Sequence, residues 1–227
     1  MKTYPIDELM SIINKDSYTE NHFMEIEVYE TYQELETDYE AALKKVETKL
    51  LIINRELSGI KYTGRKDRIH QIQKRIKTFK SIVNKLAKKG LDFSKENIVR
   101  SIHDMAGLRV ICSYTDDIYH IIDSLQRHPD IHIIQVKDYL KHPKSSGYRS
   151  IHVLIEIPVY FLEETKNLLV EIQFRTIAMD FWASLEHGLK YKNTAIDSEL
   201  SNQLKQVAEE ITRLEEEMLT IRKKIEN

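Results

Sequence analysis

The sequence predicts an α+β fold: a mixed sheet of four or five strands flanked by helices, with helical extensions at both ends. Three observations predict it. Strand-like and helix-like segments mix through roughly residues 70–192, and helix-like segments lie on either side. Two runs, SIHVLIEI at 150–157 and LLVEIQF at 168–174, alternate apolar and polar residues with the period of a half-buried strand. Glycine is scarce, six in 227 residues with none before Gly59, which suits long helices.

The elements follow in order. Between Asp16 and Leu57, apolar residues recur at Tyr29, Tyr32, Leu35, Tyr39, Leu43, Val46, Leu50 and Ile53. Steps of three and four give one helical stripe. Ser58-Gly59 and Thr63-Gly64 punctuate a connection. A second helix is predicted from Asp67 to Lys89, stopped by Gly90. Asp92 or Ser94 caps a third, KENIVRSIHDM, which Gly107 ends. LRVICSY then reads as a strand, Asp116 or Asp117 starts a helix to Arg127, and IHIIQV is a second strand. A loop from Lys141 to Gly147 precedes the two alternating runs, and a helix follows from Ile177 to Tyr191. Leu200, Leu204, Val207, Ile211, Leu214, Met218, Ile221 and Ile225 then alternate steps of four and three. This heptad fits a helix packed on its own domain, a seam between subunits, or both. The resulting division is a helical extension at 1–66, a core domain at 67–193 and a heptad helix at 194–227.

Net charge is −2, so the molecule as a whole is not a basic polyanion binder. The charge is segregated. Residues 16–43 carry nine acids and no Lys or Arg, and residues 61–90 carry eleven Lys/Arg against the single acid Asp67. The acidic run reads as a solvated helix face. Cys112, the only cysteine, excludes an intrachain disulfide and a thiolate metal cluster, and its apolar neighbours LRVI make it a buried thiol. No apolar run reaches ~18 residues, and the N-terminus lacks a signal-peptide core. A cytoplasmic protein is expected.

Four groups can carry chemistry. Arg75, Lys77, Lys80, Lys85, Lys88 and Lys89 lie with Ser81 on the predicted second helix, in two adjoining rows. Such rows can balance a triphosphate of charge roughly −4 through charge-assisted hydrogen bonds; a solvated face and a nucleic-acid patch are the alternatives. Asp104 and Arg109 flank Gly107, as a Mg²⁺ ligand beside a phosphate ligand would, although a capping acid and a surface arginine would look the same. His103-Asp104 lacks the further ligands of a metal-dependent hydrolase. Glu171 shares a strand face with Gln173 and Arg175, and alternation in the preceding run brings His152 to the same open surface. Asp104 and Glu171 together suffice for Mg²⁺, which keeps several waters. Tyr148, exposed just after Gly147, suits stacking on a base.

Five segments, RIKTFKSIVNKL at 75–86, HDMAGLRVIC at 103–112, VKDYLKHPKSSGYRSIH at 136–152, VEIQFRTIAMDFWASLEH at 170–187 and YK at 191–192, together resemble the small alarmone synthetases, the single-activity branch of the RelA/SpoT family. The resemblance implies a nucleotidyltransferase-like sheet. It implies a GTP diphosphokinase of the stringent response. That enzyme transfers the β,γ-pyrophosphate of ATP to the 3′-hydroxyl of GDP or GTP with Mg²⁺, giving AMP and (p)ppGpp. It further implies that Arg75, Lys77, Ser81, Lys85 and Lys88 hold ATP phosphates with Arg109, and that Asp104 and Glu171 hold Mg²⁺, Glu171 also activating the hydroxyl. Tyr148 stacks on guanine, and Lys144, His152, Gln173, Arg175 and Asp180 position the acceptor. Members form homotetramers. The long members' hydrolase and regulatory halves have no counterpart, so no hydrolysis is expected. Ser146 replaces the Asn of long members, and Asp180 stands where some small synthetases carry Asn. Gln71-Ile72-Gln73 lacks the Phe and Thr with which one branch binds its product allosterically.

Two other function classes fit parts of the sequence: a noncatalytic nucleotide- or RNA-binding module, and a helical oligomerisation scaffold. Asp104 and Glu171 discriminate, since a pure binding module has no use for two acids beside a cationic site.

Overall fold

The computed structural model describes residues 2–14, 22–59, 67–192 and 198–226. Helix α1 (Ile6–Asn14) precedes a long α2 (His22–Leu57). Strand β1 (Ile69–Ile76) is followed by α3 (Phe79–Lys88), α4 (Lys95–Ser101), β2 (Ala106–Cys112), α5 (Thr115–Gln126) and β3 (His132–Asp138). Then come β4 (Ile151–Tyr160), β5 (Thr165–Thr176), α6 (Ile177–Lys192) and α7 (Ser198–Glu226). The five strands form one mixed sheet in the order β1-β2-β5-β4-β3, with β2 and β5 parallel and the other pairs antiparallel. The fold is the mixed α/β arrangement that the sequence predicts. No described helix is long and apolar enough to cross a membrane.

The apolar faces of β2, β4 and β5 point one way. Leu108 and Val110 of β2, Ile151, Val153 and Ile155 of β4, and Val170, Ile172 and Phe174 of β5 are all buried. Helices α2 and α5 cover this face. From α2, Leu35, Tyr39, Leu43, Val46, Leu50 and Ile53 join the same core as the sheet, so the apolar stripe read from the sequence is the packed face of the helix. Tyr29 departs from that reading: it is 59% exposed. The polar faces of the strands point the other way and form the floor of the site described below.

The largest departure concerns residues 67–89. The sequence predicts one helix, but the chain forms strand β1, a break at Lys77-Thr78 and the shorter helix α3. Arg75 therefore stands on a strand and Lys85 on a helix, and the two cationic rows expected of one helix do not exist. A bulge between Ile69 and Gln71 is the reason. It places Ile69, Ile72 and Ile76 at steps of three and four, which imitates a helical stripe. Gly90 ends α3 as expected. Its φ is +65°, and Leu91 N–H and Gly90 N–H donate to the carbonyls of Leu86 and Ala87 at 3.1 and 3.0 Å. Helix α4 stops at Ser101, earlier than expected, so Asp104 sits in the turn before β2. Ser94 is its cap, accepting from Asn97 N–H at 3.1 Å.

Asp16, where the first helix was expected to begin, lies outside the described residues, as do Thr63-Gly64 and Asn193. The side chains of Tyr191 and Lys192 do too. Helix α7 bears the heptad. Leu204 and Ile211 turn inward against a small cluster of Trp182, Ala183 and Ala208. Leu200, Val207, Leu214, Met218, Ile221 and Ile225 are 45–79% exposed. Ile177, Phe181, Leu185 and Leu189, four apart along α6, are also exposed.

Candidate active site

Strand register builds the site. One row of residues crosses all five strands: Gln73, Arg109, Gln173, His152 and Lys137. The next row on that face is Arg75, Gly107, Glu171, Leu154 and Gln135. Gly107 thus stands between a cation and an acid, and its missing side chain leaves the floor open there.

A cavity of about 500 Å³ lies over the β1-β2-β5 end, bordered by Arg75, Lys77, Asp104, Arg109, Glu171 and Gln173. A second cavity, about 230 Å³, lies toward β4 and β3, bordered by Lys85, Lys89, His103, Lys137, Asp104 and Glu171. The two acids border both cavities, and each cavity has cations among its lining residues.

Each oxygen of Asp104 accepts a hydrogen bond from a lysine: Oδ2 from Lys77 Nζ at 2.8 Å and Oδ1 from Lys85 Nζ at 2.6 Å. Burial pushes this carboxyl up, but the two ammonium groups outweigh it and hold it below the ordinary range. Glu171 is also held low. The hydrogen bond from His152 is the largest cause, while burial and the Asp104 charge push the other way. Both acids are therefore ionised at neutral pH, and they are close enough to repel each other.

His152 links Glu171 to the aromatic end of the site. Its Nδ1 lies 3.1 Å from Glu171 Oε1, and its Nε2 lies 3.0 Å from both Tyr148 Oη and Gln173 Nε2. The network is satisfied when Nδ1 carries the proton and Nε2 accepts. Arg109 Nε donates to Gln173 Oε1 at 3.3 Å, which fixes the way the Gln173 amide points. Gln173 Nε2 also donates to Tyr148 Oη at 2.7 Å. Burial, with Arg175 beside it, disfavours the Arg109 charge, and Asp180 offsets this.

Tyr148 is half-buried, not exposed as the sequence suggests. Lys144 Nζ lies 4.9 Å and the Arg175 guanidinium 5.3 Å from its ring centre. Arg175 is itself buried and pairs with Asp180 at 2.9 Å. Ser81 lies in the first turn of α3, where its N–H donates to Thr78 Oγ1 at 3.4 Å. Ser81, Lys88, Lys144, Tyr148, His152 and Asp180 border neither cavity, Gln173 and Arg175 border the larger one, and Lys89 borders the smaller.

The site also contains Lys137 and Tyr139, which lie in the 136–152 segment but which no local sequence pattern assigns to the site. Tyr139 packs edge-on to Tyr148 and His152, with ring centres 6.2 and 5.5 Å apart. Lys137 pairs in register with His152, but only the β3–β4 alignment reveals it.

Residues 74–196, more than half the chain, match the family described as a region found in RelA/SpoT proteins. The chain is 43% identical over 189 residues to the GTP pyrophosphokinase YwaC of Bacillus subtilis, covering 83% of this chain and 89% of that one. It superposes on the crystal structure of small alarmone synthetase 2 from Bacillus subtilis with a TM-score of 0.75 at 43% identity, over 85% of this chain and 98% of the other. Small alarmone synthetase 1 of the same organism, bound to its product pppGpp, gives 0.72 at 33% identity, over 83% and 95%. The chain belongs to the RelA/SpoT family, in its small alarmone synthetase branch.

Proposed function

We infer that this chain is a (p)ppGpp synthetase, transferring the β,γ-pyrophosphate of ATP to the 3′-hydroxyl of GDP or GTP and releasing AMP. One observation carries the reading: Asp104 and Glu171 both border two adjoining cavities, each of which also has lysines among its lining residues. A reaction that moves a pyrophosphate from one nucleotide to the ribose hydroxyl of another needs its acids between the two. ATP occupies the larger cavity, with Arg75, Lys77 and Arg109 on its phosphates, and Lys85 reaches them from the adjoining smaller cavity. Guanine stacks on Tyr148 in place of one of its cations, and Lys144, His152, Gln173, Arg175 and Asp180 orient the acceptor.

Asp104 and Glu171 offer hard carboxylate oxygens on one shared wall, a donor set that fits Mg²⁺. When ATP arrives, its phosphates draw Lys77 and Lys85 away from Asp104 and free that carboxylate. The bound ion would supply charge neutralisation on the phosphates. Glu171, ionised and oriented by His152, takes the proton of the 3′-hydroxyl. The oxygen bonds to the β-phosphorus, the bond from that phosphorus to the α,β-bridging oxygen breaks, and AMP leaves. Positioning and electrostatics carry most of such a transfer.

The exposed apolar residues of α6 and α7 repeat at helical spacing, a surface suited to packing against a second copy of the chain. We take the protein to be a homo-oligomer, a homotetramer as in the family.

Purified protein incubated with ATP, GDP and Mg²⁺, with nucleotides resolved by charge, tests the function. AMP and guanosine tetraphosphate are expected in equal amounts, and the pentaphosphate with GTP. Folded protein that yields neither AMP nor these products overturns the reading.

A further inference from the structure

The inner face of α7 is fastened to the domain at three places. At one end, the Trp182 indole N–H donates to the Leu204 carbonyl at 3.0 Å. At the other, Arg222 pairs with Asp116 at 3.0 Å and lies 4.6 Å over the Tyr114 ring. The middle fastening falls on the turn that carries Tyr148.

That turn is tightly closed, with Gly147 N–H donating to the Lys144 carbonyl at 2.9 Å and Lys144 N–H to the Tyr148 carbonyl at 3.1 Å. Gly147 has φ +86°, and a methyl group built on it would lie 2.6 Å from Ala208 Cβ and 3.5 Å from Lys205 Cα. The backbone of the turn therefore rests directly on α7. On the other side of Tyr148, Arg149 donates to Thr212 Oγ1 at 3.0 Å and to Glu215 Oε2 at 3.1 Å. The Arg149 and Glu215 side chains are only 13% and 5% exposed. Both chain neighbours of Tyr148 are thus held by one helix, and the Tyr148 ring packs against the same cluster as Ala208.

We propose that α7, through Ala208, Thr212 and Glu215, is the positioning element for the guanine-binding turn and sets the affinity for the acceptor nucleotide. The proposal rests on the reading of Tyr148 as the guanine-stacking residue. A turn held in its binding shape loses little freedom when the nucleotide arrives, and a loosened turn must be ordered at that moment. The donor-side cations Arg75, Lys77 and Lys85 belong to β1, α3 and the residues between them, so loosening the turn leaves them in place.

The test compares full-length variants by steady-state kinetics and ATP binding. Ala208→Leu pushes the turn off the helix. Thr212→Val and Glu215→Met remove both acceptors of Arg149 with little change of volume, and so keep the test valid if Ala208→Leu fails to fold. The expected result is a rise in KM for GDP of about tenfold, with kcat at saturating GDP, ATP affinity and the mass by light scattering unchanged. Ala208→Ser, which adds little bulk, keeps the KM near that of the parent protein. Tyr148→Ala, run in parallel, raises the KM for GDP. If Tyr148→Ala leaves that KM unchanged, the guanine reading fails and takes the proposal with it. If Tyr148→Ala raises it but the folded α7 variants do not, the positioning role alone is overturned. Equal losses for ATP and GDP, or a change in mass, also overturn it, because α7 would then act through general stability or assembly.

Discussion

Glu171 meets two opposing demands, as an acid beside a second acid and as the base for a hydroxyl. The His152 hydrogen bond resolves them by favouring the ionised carboxylate against burial and the Asp104 charge. Glu171→Gln keeps the shape of the side chain and removes both its charge and its basicity. Synthesis should fall by roughly 10²–10⁴-fold, measured as AMP release, while ATP binding by calorimetry largely survives. Full activity in that variant would remove Glu171 from the chemistry. The residue-scale pattern was legible because strand alternation is strict: His152, Glu171, Gln173 and Arg175 were placed on one face by period alone, and the register confirms that the strands carrying them are neighbours. Lys137 was not legible. It belongs to the same row, but pairing between strands leaves no mark in the local sequence.

At the scale of elements, the stretch from Ile69 to Lys88 shows where sequence reading stops. Beyond the bulge, Ile72, Lys74 and Ile76 alternate with Gln71, Gln73 and Arg75 along a strand that, among the described residues, pairs with β2 alone. Lys74, on the core side, reaches Glu47 of α2 at 2.7 Å instead of breaking the apolar face. So short a run of clean alternation does not outweigh an apparent helical stripe. By contrast, α3 was legible from Gly90, and the heptad of α7 from its spacing. The break between β1 and α3 is set by Thr78, whose side chain accepts from Ser81 N–H and lies 2.8 Å from Ser81 Oγ. Thr78→Ala should lower the stability of the protein by about 1 kcal/mol, read as a shift of the urea midpoint. Thr78→Ser, which keeps the oxygen, should recover most of it. An unchanged midpoint in Thr78→Ala would show that α3 does not depend on this cap.

The whole molecule is held together by contacts that tie the end helices to the sheet domain. Lys45 and Lys49 of α2 reach Asp130, between α5 and β3, at 3.1 and 2.8 Å. Burial would raise the Asp130 carboxyl, but the hydrogen bonds from Lys49 and Lys45 bring it down to about 2. A depressed carboxyl stabilises the fold above its unfolded value of 3.8, and that contribution is lost as pH falls toward 2. Asp130→Asn should therefore cost about 1 kcal/mol at pH 7 after solvent screening, and the gap between parent and variant should close between pH 4 and 2 in urea titrations. A gap that persists unchanged at low pH would mean that the pair contributes nothing through its charge. The exposed seam of α7 is the other feature of this scale. Deleting the helix would confuse two effects, because its inner face also holds the turn at Gly147. Substitution on the outer face separates them. Leu214 and Ile221 are 51% and 50% exposed, so Leu214→Glu with Ile221→Glu leaves the inner contacts of Ala208, Thr212 and Glu215 in place. If the seam joins copies of the chain, two charges brought into an apolar interface without partners destabilise it by several kcal/mol, and light scattering should report a smaller particle. A particle of unchanged mass would place the association elsewhere, and leave the heptad as a surface of the folded chain alone.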